Sequence, residues 1–192
     1  GTMQAQQTPL RVLNKIQADS LAQQQVIYHD RVVPFNTLAR DFVKKLTGKI
    51  YYKGLTPEQV ISGWILYPDS WKNEPMIYIK SPELHHLLGL ESSYARLTDL
   101  FDGPVYRLQK TWQQEQGKSS KLAKAIQETD EKVGLSLMVE KGTFIQPLPT
   151  DGSVQPLSEL EVKAELLYNR IPFSKILFMI NLSLGVFHAS TS

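Results

Sequence analysis

The chain has 192 residues, no cysteine, 42% apolar residues, and 21 basic against 19 acidic side chains for a net charge of +2. That length carries one ordinary domain or two small ones, and the apolar content is that of a globular protein, not a disordered one. The charge balance argues against nucleic acid or an anionic membrane as a partner held by bulk electrostatics. The lack of cysteine excludes disulfides, thiolate metal sites, a cysteine nucleophile and a c-type haem attachment sequence.

Residues 1–7 lack the basic and apolar regions of a signal peptide, and Gly1 ahead of Met3 reads as a cloning remnant. Residues 11–25 read as a polar helix with Val12, Leu13, Ile16 and Leu21 as its apolar positions. Val26–Tyr28 and Arg31–Val33 flank His29-Asp30 as a short extended pair around a turn, and Pro34 keeps Val33 extended. A helix is expected from Asn36 or Thr37, with Leu38, Phe42 and Leu46 on one face beside Ala39 and Val43, stopping at Gly48. The next start signal is the strongest in the chain. Thr56 is an N-cap, Pro57 takes N1, Gln59 can close a capping box, and Leu55 with Val60 can form a hydrophobic staple. Val60, Ile61, Trp64 and Ile65 form its expected buried stripe, and Tyr67-Pro68-Asp69 its end.

Pro75–Lys80 is expected to be a short strand, and Ser81-Pro82-Glu83 opens a helix carrying Leu84, Leu87 and Leu88 up to Gly89. Residues 94–104 are mixed and end in the breaker Asp102-Gly103-Pro104. From Val105 to Met138 the chain is helical in composition, interrupted at Gly117–Ser120, with Leu122, Ile126, Val133 and Leu137 marking one face. Gly142–Pro156 reads as a loop with a short Thr143–Gln146 strand; Ser158 and Glu161 then cap a helix through Val162, Leu166 and Leu167. Ile171–Ala189 is nearly all apolar, broken by Ser174, Lys175, Asn181, Ser183 and His188. It suits a buried helix or the leading edge of a membrane helix. Apolar on nearly all sides, the Ile171–Phe187 stretch is expected to pack against a second copy or stay poorly ordered in isolation. The fold expectation is mainly α with a few short β-strands, an irregular helical domain over residues 1–156, followed by a C-terminal helix over 157–192.

No complete catalytic constellation emerges. His85 and His86 are adjacent, so on a helix they diverge by about 100° and cannot share one metal. His29-Asp30 is one neighbouring pair, and a stand-alone periplasmic enzyme would have to use it or His85-His86. The run Gly117-Lys118-Ser119 has Trp112 where a phosphate loop needs its first glycine. Asp130 and Glu131 beside Lys132 read as a solvated helix face. Trp64, Tyr67 and Trp71 read as core and hinge packing, or alternatively as an aromatic platform for a ligand or partner.

Several blocks, in order, resemble fused cytochrome c assembly proteins of the CcsB–CcsA, or ResB–ResC, type. The first is Tyr28–Ala39, with Arg31, Pro34, Asn36 and Thr37 in the pattern and Asp30 standing where that pattern has glycine. Tyr52-Lys53-Gly54-Leu55-Thr56 through Val60 and Trp71-Lys72-Asn73-Glu74-Pro75-Met76-Ile77 follow; Leu84–Tyr94 and Asp130–Val133 continue the likeness. The resemblance implies an extracytoplasmic (periplasmic) domain of an integral membrane protein that brings haem to the outer face and presents it for attachment. The family's tryptophan-rich haem motif has no counterpart here, so no haem ligand is carried onto His29, His85, His86 or His188. The expectation is a structural, partner-docking module with no catalytic residues, no metal and no cofactor of its own, haem being handled by the parent protein. Arg31, Pro34, Thr37, Trp64, Trp71 and Pro75 are its candidate partner or structural motif. The implied partners are the membrane-embedded remainder of the same protein and, as a further candidate, apocytochrome c, with no nucleic acid. The alternatives are a haem-binding chaperone domain or a stand-alone periplasmic enzyme of unknown chemistry.

Overall fold

The computed structural model describes residues 9–28, 31–141 and 146–147. The expected helix at 158–167, the apolar run 171–189, the 156/157 domain boundary, His29-Asp30 and His188 lie outside them.

Helix α1 (Lys15–Leu21) is shorter than the expected 11–25, because Asn14 caps it and its side chain accepts from the Gln17 N–H at 2.8 Å. That start turns Ala18 and Leu21 inward, with Leu13 buried just ahead of the cap. Val12 and Ile16, expected on the apolar face, point outward at 37% and 77% exposure. Strands β1 (Gln25–Tyr28) and β2 (Arg31–Pro34) form the expected antiparallel pair, with Tyr28 opposite Arg31. The other edge of β1 takes a late strand (Gln146–Pro147), two residues that fall at the end of the expected 143–146 strand and past it. Residues 143–145 are outside the described set.

Helix α2 (Phe35–Thr47) begins a residue or two before the expected start. Its N-cap is Pro34, whose side chain makes no capping bond. Instead the Phe35 and Asn36 N–H groups donate to the Gln24 and Ala22 carbonyls at 2.7 and 3.0 Å. Those acceptors satisfy donors that a helix start otherwise leaves open. The face Leu38, Ala39, Phe42, Val43 and Leu46 is buried as expected.

Helix α3 (Pro57–Leu66) carries the anticipated capping box: Gln59 N–H donates to Thr56 Oγ1, and Thr56 N–H to Gln59 Oε1. Its burial is not a stripe. Pro57 through Ile65 are all buried, because α1, α2, a short helix α4 (Pro68–Trp71) and the long helix described below pack around it. The expected stop at Tyr67–Asp69 is a redirection into α4, with the Tyr67 N–H still bonded to Gly63 O at 2.8 Å.

Strand β3 is only Ile77–Tyr78, shorter than the expected 75–80, since only these two residues find a partner strand, β4 (Tyr94–Ala95). Helix α5 (Pro82–Leu88) starts at the Ser81 cap and ends at Gly89. Leu84 and Leu88 are buried, while Leu87 faces solvent. A 3₁₀ turn (Leu97–Leu100) leads into β5 (Phe101–Asp102) and β6 (Val105–Tyr106), so the Gly103-Pro104 breaker is a hairpin tip. Helices α6 (Gln109–Glu115) and α7 (Lys121–Lys141) are separated at the expected interruption. The buried row of α7 is Ala123, Ile126, Thr129, Val133, Ser136 and Val139. Leu122 and Leu137, expected on this face, are only partly buried. Thr129 and Ser136 can be buried because each hydroxyl donates to its own helix, to Ala125 O at 2.8 Å and Lys132 O at 2.9 Å. With the late strand as β7, the small sheets are β2-β1-β7, β3-β4 and β5-β6. The fold is mainly α, as expected. Among the described residues no helix is long and apolar enough to cross a membrane.

Candidate functional site: the cleft at Glu74

The matched blocks of sequence meet through polar side chains. Tyr52-Lys53-Gly54-Leu55 is a tight turn: Leu55 N–H donates to Tyr52 O at 2.8 Å, and Lys53 and Gly54 both have positive φ, 48° and 72°. Two successive positive φ values are what a mirror-image hairpin turn requires, and Gly54 meets its share without strain. Lys53 does not, and its strained conformation aims the turn at Glu74. Glu74 Oε2 accepts from Tyr52 Oη at 2.6 Å and from Lys53 Nζ at 2.9 Å. The Glu74 side chain is only 16% exposed, so these two donors carry most of its solvation. Burial first, then the Glu74 carboxylate, push the Tyr52 phenol well above its ordinary range.

Trp71 is buried behind Tyr52. Its Nε1–H donates to Arg11 O at 2.8 Å, and its ring lies 6.2 Å from that of Tyr52 and 6.5 Å from that of Trp64. Trp64 is in turn edge-on to Phe42 at 6.3 Å and donates to Met76 Sδ at 3.1 Å. Arg11 stacks over Tyr67 at 4.4 Å, and its N–H donates to Ser70 Oγ at 3.2 Å. The cleft in front of these groups is about 670 Å³ and is bordered by Arg11, Lys53, Asn73, Glu74, Pro75 and Arg96, with Asp69 and Ser70 on its rim. It offers fixed charges and amide groups to a polar surface.

The candidate residues fall in two places. Trp64 and Trp71 are fully buried and in contact, so they have packing positions and present no platform; Pro75 lines the cleft. Arg31, Pro34 and Thr37 sit at the β2–α2 junction, Arg31 and Thr37 exposed and Pro34 at the helix cap, and none of them lines the cleft. The adjoining Asn36 donates to Glu58, a carboxylate only 3% exposed in the first turn of α3, which joins the first matched block to the second. His85 bonds through Nε2 to the Ile79 carbonyl, and His86 is exposed on the same helix. Among the described residues no three His, Asp or Glu side chains gather as a metal site. Asp130 and Glu131 are exposed, and Glu131 pairs with Lys45 at 2.9 Å. Residue pattern alone does not mark Arg11, Lys53, Glu74 and Arg96 as a site. The only local signal was the Tyr-Lys-Gly-Leu turn and the glutamate inside the Trp71–Ile77 block.

These features define a tied helical module with a charged cleft. No family model matches the chain. It is 32% identical over 129 residues to Protein NrfI of Wolinella succinogenes, a match that takes in 63% of this chain and 14% of that protein. The chain therefore spans a small part of the length of the curated relative it matches.

Proposed function

We propose that this chain is a structural and partner-docking module of a cytochrome c maturation system, on the extracytoplasmic side of the membrane. The likeness to NrfI supports a role in cytochrome c maturation. The finer reading, a domain of a fused CcsB–CcsA type protein that docks on its membrane-embedded remainder or on apocytochrome c, rests on the sequence blocks. One observation carries the docking reading. Polar residues of the first three blocks tie those blocks together, Asn36 to Glu58 and Tyr52 with Lys53 to Glu74. The cleft they frame is rimmed by Arg11, Lys53 and Arg96. Haem handling is assigned to the rest of the machine on the resemblance, because its tryptophan-rich haem motif has no counterpart in this sequence.

The test is genetic. The gene is deleted in its own organism, or replaced by a copy carrying Lys53→Ser with Arg96→Glu, and covalent haem in the c-type cytochromes is read by in-gel peroxidase staining. Both strains are expected to lose stain while the altered protein stays at its normal level. Unchanged staining in the deletion overturns the maturation role; loss in the deletion with full staining in the double variant moves docking away from this cleft.

A further inference from the structure

A second cleft, of about 350 Å³, lies between the start of α5 and the N-terminal half of α7, with Tyr78 of β3 as one wall. Its charged lining is Lys80, Lys121, Lys124 and Lys132 against Glu83 and Glu128. Two of the four ammonium groups have no counter-charge in the cleft, in a chain whose whole net charge is +2. The charges do not cancel by pairing either: among the described residues none of the six takes part in an ion pair.

Lys132 is the unusual member. It is half-buried, and its Nζ donates to the Tyr78 carbonyl at 2.6 Å and sits 5.6 Å from the centre of the Tyr78 ring. An ammonium has three N–H donors, and a partly buried one held by a carbonyl and a ring face still lacks a full counter-charge. Burial accordingly pulls its pKa below the usual lysine value, while Glu128 acts the other way. Tyr78 packs on Tyr94 at 5.4 Å, which braces the wall beside the ammonium.

We infer that this cleft binds a ligand bearing two carboxylates on a small frame, held by Lys132 at the base and Lys80 and Lys124 at the rim. Two negative charges match the surplus of two positive ones, and the volume is that of a small-ligand site. The same chemistry can come from a free dicarboxylate or from an acidic pair on a partner's chain. The inference stands apart from the maturation role: it concerns a different face, and its test does not involve cytochrome.

The test uses the purified 192-residue chain at low salt, since screening shortens such attractions. Glutarate, a peptide with two adjacent glutamates and inorganic phosphate are titrated by calorimetry, and acylation of each lysine is followed by mass spectrometry. Saturable binding of glutarate is expected, with Lys132 acylated more slowly in its presence. Lys80→Glu with Lys124→Glu, two exposed positions, should weaken binding by roughly tenfold, the effect of about 1.4 kcal/mol. Lys132→Gln should weaken it too, with circular dichroism checking its fold. Binding of glutarate alone identifies a free ligand; binding of the peptide, with or without glutarate, identifies a partner's acidic segment. No saturable binding of either, equal binding by the charge-reversed variant, or phosphate binding as tightly as glutarate overturns the inference.

Discussion

Gly63 sits in the middle of α3, and a Cβ built on it would come within 3.0 Å of three atoms of the Trp71 indole, Nε1, Cε2 and Cζ2. Gly63→Ala therefore sets two effects against each other. Alanine in a helix interior is favoured over glycine by about 1 kcal/mol. Against that, the indole must move away from a site where it is fully buried and where its Nε1–H holds Arg11 O at 2.8 Å. Forcing a core side chain off its position costs about 1–3 kcal/mol, and the lost hydrogen bond about 1 kcal/mol more. The indole is rigid and α3 is buried from Pro57 to Ile65, so neither partner can slide to make room. The net expectation is a loss of about 2 kcal/mol, or roughly 4–8 °C in Tm for a chain of this size. Urea denaturation followed by tryptophan fluorescence measures it, with a red-shifted native spectrum as Trp71 is displaced. In a Trp71→Leu background the cost of Gly63→Ala should shrink, because the obstructing ring is gone. If Gly63→Ala is as stable as the parent or more so, helix propensity has won and the close packing of α3 on α4 is not the constraint argued here.

At Lys53 (φ 48°) a β-branched residue fits badly, so Lys53→Val should be about 2 kcal/mol less stable than Lys53→Gly; both lack the ammonium, so the difference in urea midpoint reports the backbone alone. The Tyr106 hydroxyl is buried with no partner at hydrogen-bonding geometry. Tyr106→Phe should leave stability unchanged or raise it by up to about 1 kcal/mol, and a clear loss in chemical denaturation would show that Asp130 bonds it after all. Burial is the first cause raising the phenols of Tyr28, Tyr52 and Tyr106 in the folded chain. The folded state then holds these protons at pH values where the unfolded chain has lost them. Their contribution is complete below the unfolded tyrosine value of about 10 and falls as pH rises beyond it. Lys132, lowered by burial, runs the opposite way. Urea midpoints should therefore drop above pH ~10, and Tyr52→Phe should flatten that drop; a parallel pH profile in the variant would count against the assignment.

What could be read in advance was local. The α3 start was visible because all its determinants lie within four residues: a threonine cap, a proline with no N–H to leave unsatisfied, and a glutamine that closes the box. The β1–β2 pair and the Gly48 and Gly89 stops were visible for the same reason. What escaped depends on distant chain. The start of α2 is set by carbonyls of Gln24 and Ala22, which no reading of residues 34–37 supplies. The apolar pattern of α3 suggested one buried face, whereas Gln59 and Ser62 are also enclosed, their side chains bonded to Leu13 O and within α3. On α7 the expected Ile126 and Val133 are buried but Leu122 and Leu137 only partly, while Thr129 and Ser136, polar by type, are buried because each satisfies its own hydroxyl. The Glu74 cleft was hidden because Arg11, Lys53, Glu74 and Arg96 are 21 or more residues apart in sequence, and only the fold makes them neighbours.

The distribution of polar contacts explains why a chain with a recognisable pattern has no recognisable reaction motif. The first three blocks each contribute a polar group that is costly to bury alone: Asn36 from the first, Tyr52 and Glu58 from the second, Glu74 from the third. Each becomes tolerable only when its partner arrives from another block, because an unpaired buried polar group costs about 1–3 kcal/mol. Such ties add little net stability, but they penalise every packing in which the blocks are out of register, so they select one arrangement around α3. Changing one partner strands the other: Glu58→Gln leaves Asn36 an acceptor that is no longer charged, and Asn36→Leu leaves a carboxylate 3% exposed with no donor from α2. Groups of this kind therefore hold the framework together. The charges that the framework leaves around Glu74 are Arg11, Lys53 and Arg96, which line the cleft.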